Sequence, residues 1–185
     1  MMMWGCPDAA LIAGTLRNAQ GAGFNYEAGA ATIEQPPAGF FRNHTDVRLG
    51  QREACWRAAS TSLRRWRMAQ LGWCDFLSTS PEPEAGQVVI ARVSHLGFWS
   101  LQPSRIIAVE QQDRYASFAI RTLKGHDECG EERFEVEWLP SGEVRFRVRS
   151  YSRPAHLAGW LALPYVRQLQ RRFGRESAQV MQSLT

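Results

Sequence analysis

Two stretches of strict alternation, residues 131–138 and 143–150, constrain this chain more than any other feature. In the first, Glu132, Phe134, Val136 and Trp138 share one side, and Glu131, Arg133, Glu135 and Glu137 the other. In the second, Val144, Phe146, Val148 and Ser150 oppose Glu143, Arg145, Arg147 and Arg149. A period of two sustained this long specifies antiparallel strands with one dry and one wet face. Both dry faces must end on the same side, which restricts the register. A loop Pro140-Ser141-Gly142 satisfies that requirement, with Gly142 in the left-handed position such loops use. The dry pairs are then Trp138 with Val144, Val136 with Phe146 and Phe134 with Val148. On the wet face Glu137 meets Arg145 and Glu135 meets Arg147, opposite charges worth about 0.2–1 kcal/mol each. A two-residue loop sets Trp138 against Arg145 and is rejected.

The remaining sequence supplies sheet before this hairpin and helix after it. Residues 7–20 form a helix built on Ala, Leu and Ile, with Pro7 at an early position and Gly21 and Gly23 ending it. Residues 25–33 suit a short strand, and PPAGFFRN, residues 36–43, reads as a turn-rich link. A second helix covers 51–70, its apolar stripe made by Cys55, Trp56, Ala59, Leu63 and Trp66. Strands follow at 73–77, 87–96, 98–110 and 114–123, which with the hairpin make about six or seven antiparallel strands in meander order. The last element runs from Pro154 to about Gln182. Ala158, Ala162, Tyr165, Val166, Leu169, Phe173, Val180 and Leu184 fall on one face of it, and Arg167, Gln170, Arg171 and Arg175 on the other. Pro164 cannot donate to the carbonyl of Trp160, so a kink is expected there. Glu176 intrudes on the apolar face one turn from Arg172, which suits an ion pair. The fold class is therefore α+β, a curved antiparallel sheet of six to seven strands wrapped on a long C-terminal helix.

A chain of 185 residues, 44% hydrophobic and 22% charged, fits one soluble domain over 1–185, with residues 1–6 peripheral to it. No apolar run approaches the ~20 residues needed to span a bilayer. The start, MMMWGCPDAALIAGTL, lacks the basic segment of a secretory signal, so a cytoplasmic location is expected. Cys6, Cys55, Cys74 and Cys129 show no CxxC spacing and are expected to be buried free thiols, with no metal and no cofactor. The net charge of +4 permits an anionic partner without demanding one.

Several motifs resemble uncharacterised protein family number 0548, a domain of unknown function of bacteria and plants. They are Tyr26 to Thr32 (YEAGAAT), Leu49-Gly50, Trp66 with Met68, Gly72-Trp73, Thr122-Leu123 and Gly125-His126. Glu128, Gly130-Glu131-Glu132 with Phe134, Ser152-Arg153-Pro154, Arg167, Gln170, Arg172-Phe173 and Ser177 extend the match. Where the family pattern tends to carry Tyr-Gly before Thr-Leu, this chain has Ile120-Arg121. The resemblance implies a helix-grip fold of the START/Bet v 1 type and brings no established activity.

Three functional readings follow from the residues. In the first, sheet and final helix enclose a small apolar or amphipathic ligand. Its lining would come from Trp99, Phe118, Phe134, Trp138, Phe146, Tyr165, Leu169 and Phe173, with His126, Glu132 and Arg153 orienting it. In the second, the cluster Lys124 to Glu132 supports an enzyme with Glu132 and His126 as acid–base partners, since Glu132 falls on the dry face. In the third, Arg57, Arg64, Arg65 and Arg67 make a nucleic-acid or protein surface. That reading is weakened because Trp56 and Trp66 lie on the buried stripe, and base stacking needs exposed rings. GxxxxGK[ST], GxGxxG and GxSxG motifs are absent, which argues against the common kinase, dehydrogenase and hydrolase designs.

Overall fold

The hairpin forms in the expected register. Strands β7 (Glu128–Trp138) and β8 (Glu143–Pro154) pair Trp138 with Val144, Val136 with Phe146 and Phe134 with Val148. Gly142, at φ 86°, donates its N–H to Leu139 O at 2.9 Å and closes the turn. On the wet face the ion pairs run one step diagonally. Arg147 reaches Glu137 at 2.5 Å, Arg149 reaches Glu135 at 2.6 Å, and Arg145 turns to Asp46 at 2.8 Å. Strand twist carries long side chains past the residue directly opposite to its diagonal neighbour.

A computed structural model describes residues 2–27 and 37–185. The other elements are β1 (Met2–Trp4), α1 (Ala9–Gln20), β2 (Phe41–Gln51), α2 (Arg52–Arg64), β3 (Cys74–Ser78), β4 (Val88–His95), β5 (Phe98–Gln111), β6 (Tyr115–Thr122), α3 (Leu157–Leu161) and α4 (Leu163–Ser183). The strand order is β2-β8-β7-β6-β5-β4-β3, a meander from β3 to β8 with β2 added beside β8. Among the described residues no helix is long and apolar enough to cross a membrane.

Four features differ from the sequence expectation. Residues 41–51, expected as the end of a link at 41–43 and the start of a helix at 51 with no element assigned between, form the long edge strand β2, paired with β8 along its length. Residues 2–4, expected to be peripheral, pair with the start of β5. Pro164 does more than kink the last helix. Its missing N–H ends α3, and the chain restarts as α4 with the ring in the first turn, where no donor is needed. Cys6 is an exposed thiol, whereas Cys55, Cys74 and Cys129 are buried, all four being free. The strand expected over 25–33 lies largely outside the described residues, as does most of the YEAGAAT motif. At its start Phe24 makes an isolated bridge to Leu123.

β2 and β3 stand at opposite ends of the strand order, yet Thr45 of one and Phe76 of the other line a common cavity. The sheet is therefore curled, with register shifts at Arg48/Gly50 and Ile106/Ala108 that assist bending. Two helices share the concave face. The stripe of α2, with Trp66 just beyond it, packs on Phe118, Phe134, Val136, Val144 and Phe146 as the main core. α4 lies alongside, with Ser177, Ala178 and Met181 buried in its second half. On the convex side α1, capped by Asp8, packs Ala19 on Val88 and Leu123. Arg105 binds the carbonyl of Gln20 at 2.8 Å at the end of that helix. This is a helix-grip fold.

Candidate functional site

The concave face is divided along the strands. Toward the hairpin turn, α2 seals it with hydrocarbon. Toward the other end, beneath the first half of α4, the sheet and helix stand apart around a cavity of about 440 Å³. Strands β6, β7 and β8 change character at that boundary. On β7, Phe134 and Val136 are core while Glu128, Gly130 and Glu132 face the cavity. On β8, Phe146 is core while Val148, Ser150 and Ser152 line the space, and on β6 Phe118 gives way to Ile120 and Thr122. On β5 the inward positions are Ser100, Gln102 and Ser104. Ala91, Val93 and Phe76 make an apolar wall from β4 and β3. Tyr165, Val166, Leu169 and Phe173 form the roof from α4.

The structure places five of the sequence-predicted residues on this cavity: His126, Glu132, Tyr165, Leu169 and Phe173. The other six lie elsewhere. Phe118, Phe134 and Phe146 are fully buried in the core under α2, with Trp138 packed at its edge. They occupy the dry parity as expected but the wrong length of it. Trp99 has the opposite parity to Ser100 and faces outward, under the guanidinium of Arg92 at 5.6 Å. Arg153 is exposed and lies over the ring of Phe40 at 5.2 Å, away from the cavity. Its parity is opposite to that of Ser152, which the strand turns inward.

Sequence reasoning missed Gln170, assigned to the charged face of the last helix. It sits at the centre of a polar network. Its Nε2 donates to both carboxylate oxygens of Glu128 at 2.8 Å and to Ser152 Oγ at 2.8 Å, and its Oε1 accepts from Asn43 Nδ2 at 2.8 Å. One side chain thus ties α4 to β7, β8 and β2. Close approach is possible because Gly174, one turn on, lies against Thr45 with no room for a Cβ. At the far end Glu176 takes Arg172 at 2.7 Å, as expected, and Trp73 Nε1 at 2.5 Å. These contacts fix both flanks of the roof.

The loop before β7 positions His126, and β7 itself positions Glu132. His126 Nδ1 accepts the backbone N–H of Glu128 at 2.9 Å, so the neutral ring carries its proton on Nε2. Burial lowers its pKa to about 4, and the imidazole is neutral at pH 7. Burial raises Glu128, with Gln170 and Arg167 opposing that shift. Glu132 is different. Its residual exposure faces the cavity, and no hydrogen bond to its carboxyl occurs among the described residues. Burial, then the neighbouring Glu128, push its pKa up to about 8, so it holds a proton at pH 7. Among the described residues no three His, Cys, Asp or Glu side chains are grouped to hold a metal ion. The cavity can enclose an organic molecule of modest size, offering an apolar roof and a floor of hydroxyls, amides and one protonated carboxyl.

The arginines proposed as an interaction surface are solvated. Arg57 pairs with Glu53 at 2.6 Å and Arg64 with Glu82 at 3.5 Å, while Trp56 and Trp66 are buried beneath them.

Comparison with known proteins gives a consistent result. The family model for a domain of unknown function, DUF1990, matches residues 25–180. The chain is 28% identical to the UPF0548 protein At2g17695 of Arabidopsis thaliana, over 77% of this chain and 72% of that one. It is 35% identical to a UPF0548 protein of Deinococcus radiodurans, over 73% of each. A UPF0548 protein of Dictyostelium discoideum is 31% identical, over 73% of this chain and 68% of the relative. Among solved structures, hypothetical protein jhp0584 from Helicobacter pylori superposes with a TM-score of 0.57 at 12% identity, covering 78% of this chain and 86% of that one. Ara h 8.0201 superposes at 0.50 and 12% identity, covering 78% and 99%. These two structural likenesses establish the fold alone. Motifs, family model and relatives together show that the chain belongs to the uncharacterised UPF0548 family.

Proposed function

We propose that this protein is a binding module that encloses a small amphipathic molecule between its sheet and α4. The observation that carries the reading is the cavity of about 440 Å³, placed where α4 bridges the curled sheet. Its volume falls within the ~300–1,000 Å³ typical of small-ligand sites. Leu169, Phe173 and Phe76 would cover an apolar body, and Glu132, His126 and Gln170 would orient a polar end. The buried free thiols suit a reducing, cytoplasmic setting.

Native mass spectrometry of gently purified protein tests this. A co-purified organic molecule, or uptake of an apolar fluorophore, is expected. Ala91→Phe, set opposite Phe76 on the adjacent strand, fills the space and should abolish uptake. Retained uptake in that variant would move the site elsewhere. A second reading, acid–base chemistry, is favoured by one observation: a carboxyl protonated at pH 7 shares the cavity with a neutral imidazole. Turnover of any co-purified ligand, lost in Glu132→Gln, would identify it.

A further inference from the structure

We propose that the cavity takes an amphiphile with an amine head group, bound as the ammonium, and that Glu132 is its counter-ion. The inference rests on the enclosed-ligand reading above and names the chemistry of the ligand.

The first observation is a charge asymmetry. The chain has 22 Lys and Arg and a pI near 9.2, yet among the described residues none of them lines the cavity. Four carboxylate residues do: Asp127, Glu128, Glu131 and Glu132. An anionic head group would meet that potential with no compensating cation.

The second observation is that three of these carboxylates are already engaged. Glu131 points through the sheet to Arg121 at 2.6 Å and accepts from Tyr26 at 3.0 Å. Glu128 is held by Gln170, with Arg167 acting on it from outside the lining. Asp127 accepts from Gln102 Nε2 at 2.6 Å at the rim. Glu132 has neither a hydrogen bond nor a cation among the described residues. The titratable groups that share its cavity are the Cys74 thiol from β3, Asp127, Glu128 and Glu131 from β7 and the loop before it, the Tyr151 and Tyr165 hydroxyls from β8 and α4, and the imidazoles of His95, His126 and His156. His95 Nδ1, on β4, is buried and also lacks a partner. The lining therefore holds one buried orphan polar atom, His95 Nδ1, whose lack of a partner is costly unless a ligand completes it, and one carboxyl, Glu132, that opens on the cavity without a protein partner.

An ammonium offers a charge and three donors, and so suits a lone carboxylate better than an alcohol does. Glu128 helps to offset the desolvation of the incoming cation. The proton balance is simple. Glu132 is protonated at pH 7 in the empty cavity because burial and Glu128 hold the proton on. The amine arrives already protonated, Glu132 gives its proton to solvent, and one proton is released for each ligand bound.

Isothermal titration of the full chain with octylammonium, 1-octanol and octanoate at pH 7, in phosphate and in Tris, tests this. Octylammonium is expected to bind at least about tenfold more tightly than octanol, with octanoate weakest. The buffer-dependent heat should correspond to about one proton released. Glu132→Gln should erase the advantage of octylammonium over octanol. Equal or tighter binding of octanoate, an ammonium preference that survives Glu132→Gln, or zero proton release would overturn the assignment and leave the pocket standing. If none of the three probes binds, the enclosed-ligand reading falls and takes this one with it.

Discussion

Replacing Glu132 by Gln should stabilise the protein most at neutral and alkaline pH, less at mildly acid pH, and not at all below about pH 4. The carboxyl ordinarily titrates near 4.5, and in the folded state it titrates near 8. Between those values the folded protein holds a proton that the unfolded chain has lost, so stability falls as pH rises through that window. Each pH unit costs about 1.4 kcal/mol, which makes the penalty about 3 kcal/mol at pH 7 and about 5 kcal/mol above pH 8. Glutamine keeps the shape, cannot ionise and escapes the penalty. For a chain of this size, 3 kcal/mol corresponds to a rise in Tm of about 6–12 °C. Urea unfolding of both proteins from pH 5 to pH 9 measures the difference directly, and titrations common to both cancel. The difference should grow with pH and level off above 8. A difference that stays constant across the range would refute the reasoning, because Glu132 would then titrate alike in both states.

Other predictions follow from the same contacts. His126 is depressed to about 4, so its contribution turns against folding as pH falls below 6.5. His126→Asn, which keeps an acceptor for the Glu128 N–H, should gain about 2–3 kcal/mol relative to the parent at pH 4.5 and nothing from this source at pH 7, by denaturant titration. Gly174→Ala should destabilise by about 1–2 kcal/mol despite the helix preference of Ala, because its Cβ would collide with Thr45 Oγ1. The double variant with Thr45→Ala should recover most of that loss in a thermal-melt cycle. Phe134→Leu should lower stability by about 1–3 kcal/mol and leave fluorophore affinity unchanged, since Phe134 belongs to the core under α2. Leu169→Ala should weaken fluorophore binding more than it weakens the fold, as read from affinity and Tm together.

The hairpin was legible because both of its faces obey one rule, hydrocarbon inward and charge outward. β2 was not, and the reason is chemical. Its inward residues are Asn43 and Thr45 at the cavity, then Val47 and Leu49 at the core. A strand that faces a cavity with polar side chains shows no apolar alternation over that half, so it reads as a link. Gln170 was misplaced for the same reason, a polar side chain on a helical wheel being assigned to water. Glu132 and Ser150 were the usable signal. They continue the parity of Phe134 and Val148 with polar residues, which marks where the dry face ends.

The sequence by itself determined the meander, the register of its hairpin, the parity of every hairpin residue and the final amphipathic helix. These depend on local period and on pairing between neighbours, and both are written in consecutive residues. Only the tertiary structure decided which length of the dry face is core and which is cavity. That boundary lies where α2 ends its contact and α4 begins to bridge the curled sheet. It is set by how two distant helices share one concave surface, and no local pattern encodes that division.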